Sequence, residues 1–167
     1  MSEPSSPAAE RPSLTVRMHA KGIDATDSPA KDGIESVLVP KAQWREAAQA
    51  LFDTGFVRFI DLTAIDDPEA ELRFEMHLVV YSMAEKRWAR LKARTEEKLD
   101  SVVSSTYWAA YNYEREVFDL FGVTFEGHPS LTRIMLPDGW QGHPLRRDAP
   151  LVWEPVDFTV TRDLYKT

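Results

Sequence analysis

The densest group of ionisable side chains in the sequence is Glu114-Arg115-Glu116-Val117-Phe118-Asp119. Such a cluster could in principle supply a general acid and a general base, with His128 or His143 relaying protons. Helical geometry speaks against it. At about 100° per residue, Glu114 and Glu116 diverge by about 200° and cannot face one substrate. The same wheel puts Asn112, Arg115, Glu116 and Asp119 on one stripe and Ala110, Tyr113, Val117, Leu120 and Phe121 on the other. Glu114 falls on the apolar flank, between Phe118 and Phe121. A carboxylate there needs a cation, backbone donors or a proton, because an unpaired buried charge costs several kcal/mol. Arg133, Arg146 and Arg147 follow in the chain as available cations, so the expectation is that Glu114 anchors the following segment through an arginine.

Other chemistries are poorly served. The four histidines, His19, His77, His128 and His143, include no H-x-x-x-H pair, the spacing that puts two imidazoles on one helical face. Two of them sit in Gly-His-Pro turns, at 127–129 and 142–144, where backbone bonding or an interface contact is the expected role. No cysteine is present, so thiolate ligation of zinc or of an iron–sulfur cluster is excluded. Neither phosphate-cradling glycine pattern occurs. No bound cofactor or metal is therefore expected.

The cluster must be carried by a helix, and the surrounding pattern supplies one from about Tyr107 to Phe121. Ser104, Ser105 or Thr106 is placed to cap it, and Gly122 to end it in a left-handed conformation. Upstream, Ser36 to Val39 reads as a short strand. Trp44, Ala47, Ala48, Leu51 and Phe52 then recur at helical spacing in a first helix, Lys41 to Phe52, stopped near Gly55. Three strands are predicted at 56–64, 73–83 and 86–95, the last two as an antiparallel hairpin. Phe74, Met76, Leu78 and Val80 share one face at period two, as do Ala89, Leu91 and Ala93. Asp66-Asp67-Pro68 marks a turn.

With 167 residues, 43% of them apolar, the chain can bury one core. A net charge of −7 argues against nucleic acid and against a basic membrane patch. No apolar run approaches the roughly 20 residues that span a bilayer, so membrane association is expected to be indirect. Residues 1–34, rich in Ser, Pro, Ala and Asp, read as a solvated tail, and 35–122 as the core domain. Residues 123–167 are broken by Gly and Pro, yet carry Phe125, Leu131, Ile134, Met135, Leu136, Trp140, Leu145, Leu151, Val152, Trp153 and Phe158. That much apolar surface on an extended arm needs something to pack against.

The run Glu114 to Gly122, then Phe125-Glu126-Gly127-His128-Pro129, Arg133-Ile134 and Gly142-His143-Pro144-Leu145-Arg146-Arg147-Asp148-Ala149-Pro150, resembles the signature of the 30 kDa subunit family of respiratory complex I. Leu62 to Asp66 and Arg73-Phe74-Glu75 extend the likeness upstream. Thr132 departs from it, standing where the family often has a basic residue.

The resemblance implies an α+β, two-layer domain, its mixed or antiparallel sheet packed by two main helices and followed by a long C-terminal arm. It also implies a cofactor-free structural subunit of NADH-quinone oxidoreductase, peripheral on the cytoplasmic face of the cell membrane. The complex would use FMN, iron–sulfur clusters, NADH and a quinone. The partners would be the quinone-site large subunit (D, 49 kDa type) and the terminal-cluster subunit (B). Glu114, Arg115, Glu116, Asp119, Gly122, His128 and Arg133 would be structural, and Leu131, Ile134, Trp140, Gly142, His143, Pro144, Leu145, Arg146, Arg147 and Asp148 would face a neighbour. Related hydrogenase or ferredoxin-fed subunits would share this pattern. A stand-alone binding module or small hydrolase, active as a monomer, is the reading from a different class.

Overall fold

A computed structural model describes residues 12–149 apart from 29 and 138. Leu151, Val152, Trp153 and Phe158 of the expected arm lie outside the described residues, as does the tail before residue 12.

Among the described residues, three α-helices pack on one face of a five-stranded mixed sheet, giving the α+β architecture expected. The helices are α1 (Leu14–His19), α2 (Trp44–Asp53) and α3 (Tyr111–Phe121). The sheet strands are β1 (Thr26–Asp27), β2 (Glu35–Val39), β3 (Arg58–Asp66), β4 (Phe74–Ser82) and β5 (Arg87–Thr95), in the order β1-β2-β5-β4-β3. β2 runs parallel to β5, and the remaining pairs are antiparallel. Two short strands, β6 (Lys98–Asp100) and β7 (Thr124–Glu126), form a separate parallel ribbon.

The core follows from the period-two pattern. Phe74, Met76, Leu78 and Val80 of β4 and Ala89, Leu91 and Ala93 of β5 are buried on the helical side, the small β5 residues leaving room for α2. Trp44, Ala47, Ala48 and Leu51 of α2 fill that room. The opposite faces of β4 and β5 carry Glu75, which bonds His77, Lys92 and Arg94. A register shift at Phe59/Asp61 bends β3, and Phe59 meets Tyr113 of α3 edge-on at 5.0 Å.

Two expectations need correction. Residues 12–34 are not a solvated tail: α1 is capped by Ser13, and Leu14, Met18, Ile23 and Ala25 are buried against the domain. Four apolar side chains in a polar stretch suffice when each reaches the core. The cap of α3 also differs. A turn of 3-10 helix (Trp108–Ala110) leads into α3, and Thr106 bonds Gln49 of α2 instead of capping. Tyr107 explains the detour, since its buried hydroxyl donates to the Phe56 carbonyl at 2.7 Å. Gly122 does end α3 in the left-handed region, with φ 78°.

Candidate functional site

The site is the seat that α3 and the β3–β4 turn make for the following arm, and its centre is Asp119. The helical wheel puts this carboxylate on the solvent stripe, yet it is fully buried because the arm folds over that stripe. Its Oδ2 accepts three successive backbone N–H groups, from Ile134 at 3.1 Å, Met135 at 2.8 Å and Leu136 at 2.9 Å. Its Oδ1 accepts the Arg133 guanidinium at 2.7 Å. Burial pushes the Asp119 carboxyl up, but those N–H groups and Arg133 outweigh it and hold the group below its ordinary value. A short loop wrapped on an anion in this way has its conformation set by the anion.

Arg115, one turn earlier on α3, adds a second tie. It donates to the Thr132 and Arg133 carbonyls, each at 3.0 Å, and to the Thr132 hydroxyl at 3.1 Å. The residue that departs from the family pattern is therefore part of the seat. His128 stacks on Tyr111, with ring centroids 4.7 Å apart. The Ser130 N–H donates to His128 Nδ1, so Nε2 carries the proton and donates to the Tyr111 carbonyl at 3.1 Å. Burial lowers its basicity, in keeping with that neutral tautomer.

The far end of the arm closes over the C-terminus of α3. His143 Nδ1 donates to the Asp119 carbonyl at 2.9 Å, the Leu145 N–H to Leu120 at 3.1 Å, and Arg146 Nε to Phe121 at 2.5 Å. These are the carbonyls a helix end leaves without intrahelical partners. Gly122 is required twice here: its φ is positive, and a Cβ would overlap the Arg146 guanidinium and the His143 ring. Gly142 also has a positive φ, 86°, at the turn before His143, and Pro144 is exposed.

Beyond Arg146 the chain reaches the β3–β4 turn. The Arg147 N–H donates to Asp66 at 2.6 Å, and Arg73 grips Asp66 and Asp148 with both ends of its guanidinium. Arg73 first, then the Arg147 N–H, holds the Asp66 carboxyl below its usual range against the opposing effect of burial. No local sequence signal marks the links from Arg147 and Asp148 back to Asp66 and Arg73, which span 81 and 75 residues.

Glu114 does not anchor the arm through an arginine. It is buried, but its Oε1 accepts the Val102 N–H at 2.8 Å, and Asp119 takes the arm's Arg133 instead. Glu116 is half-buried on α3 and takes no part in the seat. The acid–base pairing of Glu114 and Glu116 is thus absent.

The interface candidates sort into two groups. Leu131 packs against the core and Trp140 is half-buried, whereas Ile134, Met135 and Leu145 are 40%, 61% and 51% exposed. Met135 is one of the arm's apolar residues but not one of the named interface candidates, and its exposure adds it to them. The backbone ties at 134–136 and 145 fix these three side chains outward.

A family model described as respiratory-chain NADH dehydrogenase, 30 Kd subunit, matches residues 37–154. The NADH-quinone oxidoreductase C subunit of Roseiflexus castenholzii is 38% identical over 162 residues, covering 93% of each chain. Its counterpart from Rhodobacter capsulatus is 46% identical over 96 residues, 57% of this chain and 48% of that protein. Among solved structures, a trypsin-resistant fragment (1–134) of Nqo5 aligns with a TM-score of 0.57 at 26% identity, over 68% of this chain and 92% of the fragment. A chain of a membrane-bound sulfane sulfur reductase, an archaeal respiratory membrane complex, aligns with a TM-score of 0.67 at 23% identity, over 86% of this chain and 84% of that one, a likeness of fold.

Proposed function

The chain belongs to the 30 kDa subunit family of respiratory-chain NADH dehydrogenases, and we propose that it serves there as a scaffold with no active site or cofactor of its own. In this reading NADH, FMN, the iron–sulfur clusters and the quinone are all held by other subunits. The chain grips the large quinone-site subunit (D, 49 kDa type), with the terminal-cluster subunit (B) beside it, peripheral to the membrane on its cytoplasmic face.

The observation that carries this reading is the seated arm. Its polar backbone is satisfied inward by Asp119, Arg115 and Asp66, while Ile134, Met135 and Leu145 stand exposed. An arm already ordered before contact loses less conformational entropy on docking, so a few apolar anchors suffice to hold a partner.

The test replaces Ile134, Met135 and Leu145 together by Asp in the full chain, expressed with the rest of the complex. The isolated variant is expected to unfold at the wild-type temperature, because these side chains touch solvent. Native mass spectrometry of the membrane complex should then show the variant chain missing, with NADH–quinone activity lost. Full assembly and activity would overturn the scaffold reading. Co-purifying subunits also identify the machine, since NADH- and flavin-binding subunits fit this enzyme and nickel-site subunits fit a hydrogenase.

A further inference from the structure

Asp66, Asp119 and Glu114 are all buried carboxylates, but they are not alike. The first two each hold an arginine at ion-pair distance. Glu114 instead reaches across from the first turns of α3 to the segment 101–103 that leaves β6. Its Oε1 takes the Val102 N–H, and its Oε2, also buried, has no hydrogen-bond partner among the described residues.

The charged groups around Glu114 are committed elsewhere. Arg45 of α2 is its nearest cationic influence, but that guanidinium donates to the Ser101 and Glu126 carbonyls, each at 3.2 Å, and lies 3.9 Å from Asp100 of β6. On β7, the Glu126 carboxylate sits 3.7 Å from Lys98 of β6. On α3 itself, Arg115 turns to the arm. The remaining neighbours are neutral: the Ser101 hydroxyl and the Val102 and Val103 N–H groups.

We propose that Glu114 is a proton-operated latch: as the neutral acid it seals segment 101–103 and the β6–β7 ribbon against α3, and on releasing its proton to solvent it loosens both. Only the O–H bond of the carboxylic acid breaks, and the proton passes to bulk water. The latch acts at the root of the arm, because β7 runs directly into the Gly127 turn from which the arm departs. It does not depend on the scaffold reading.

Burial pushes the Glu114 carboxyl up to about 7, against the smaller opposing pull of Ser101, the two N–H groups and Arg45. A folded-state value above the unfolded one means the fold favours the protonated form. Stability therefore declines as pH rises from about 4.5 to about 7, where the latch is half ionised, and levels off once ionisation is complete well above that.

Two measurements on the full chain test this. Carbon-13 NMR of the side-chain carboxyls should show Glu114 titrating near 7; a midpoint near 4.5 overturns the latch. Amide exchange at Val102 and Val103, corrected for intrinsic chemistry, should lose more than about tenfold in protection between roughly pH 5.5 and 8. Glu114→Gln keeps the neutral shape and should abolish that pH dependence while preserving protection. An unchanged pH dependence in the variant, or none in the wild type, overturns the proposal. Should the variant not fold, the two wild-type measurements decide.

Discussion

Asp119 and Arg133 meet at 2.7 Å across fourteen residues of sequence, the carboxylate wholly buried and the guanidinium a quarter exposed. The same carboxylate orders the three N–H groups that follow Arg133. One side chain thus converts a Pro- and Gly-broken stretch into a fixed loop, and the loop presents Ile134 and Met135 outward.

Asp119→Ala should detach that loop. Removing the anion leaves three backbone donors and one arginine without their acceptor, a loss of about 2–4 kcal/mol moderated by solvent access to Arg133. Amide exchange at 134–136 should rise steeply, with little change at Leu78 or Leu91 in the sheet. Uniform change across both regions would mean that the loop and the core unfold as one unit.

How much of this is legible in the residues depends on how far apart the partners lie. The β4–β5 hairpin and α2 are legible because alternation and helical spacing are local signals, and Gly122 is legible because a left-handed residue after an apolar helix has few alternatives. A helical wheel misplaces Asp119 because it assigns a face to solvent without knowing that the chain returns over it 14 residues later. The difficulty of Glu114 on its apolar flank is visible in the sequence, but the remedy comes from Val102, upstream, not from an arginine downstream. In the Asp66–Arg73–Asp148 clasp, no local pattern links Asp148 to Arg73, 75 residues upstream.

Gly122→Ala should weaken both the helix end and the arm. Left-handed backbone costs an alanine about 1–2 kcal/mol, and its methyl group would displace Arg146 and His143 from the carbonyls they cap. A lower unfolding temperature together with faster exchange at Leu145 and Arg146 is the expected result. Gly139, also with positive φ but with no atom within 4 Å of a would-be Cβ, is the control that isolates backbone strain from the clash.

The two carboxylates that share Arg73 should respond differently to removal. Asp66 has 2% of its side chain exposed and Asp148 has 59%, so Asp66→Asn should lower the unfolding temperature measurably while Asp148→Asn leaves it nearly unchanged. The sign with pH follows from Asp66 being held below its ordinary value of 3.8. Its contribution is complete above that pH and is lost as pH falls through the lower folded value. Acid titration of stability should therefore be shallower in Asp66→Asn than in the wild type; equal slopes would show that the clasp adds nothing to folding.

Leu131 and Leu145 separate stability from docking within one arm. Leu131 packs against the core, so Leu131→Ala should destabilise the isolated chain by about 1–2 kcal/mol, a half-buried fraction of the usual core loss. Leu145 is half exposed, and its backbone N–H, not its side chain, ties it to Leu120. Leu145→Ala should therefore leave the isolated chain's unfolding curve in place and weaken its retention in the complex. Denaturant melts of the two variants, paired with quantitative mass spectrometry of the purified complex, give four numbers. The scaffold account requires Leu131→Ala to shift the melt and Leu145→Ala to shift the retention, because only a side chain facing away from its own domain has binding energy left for a neighbour.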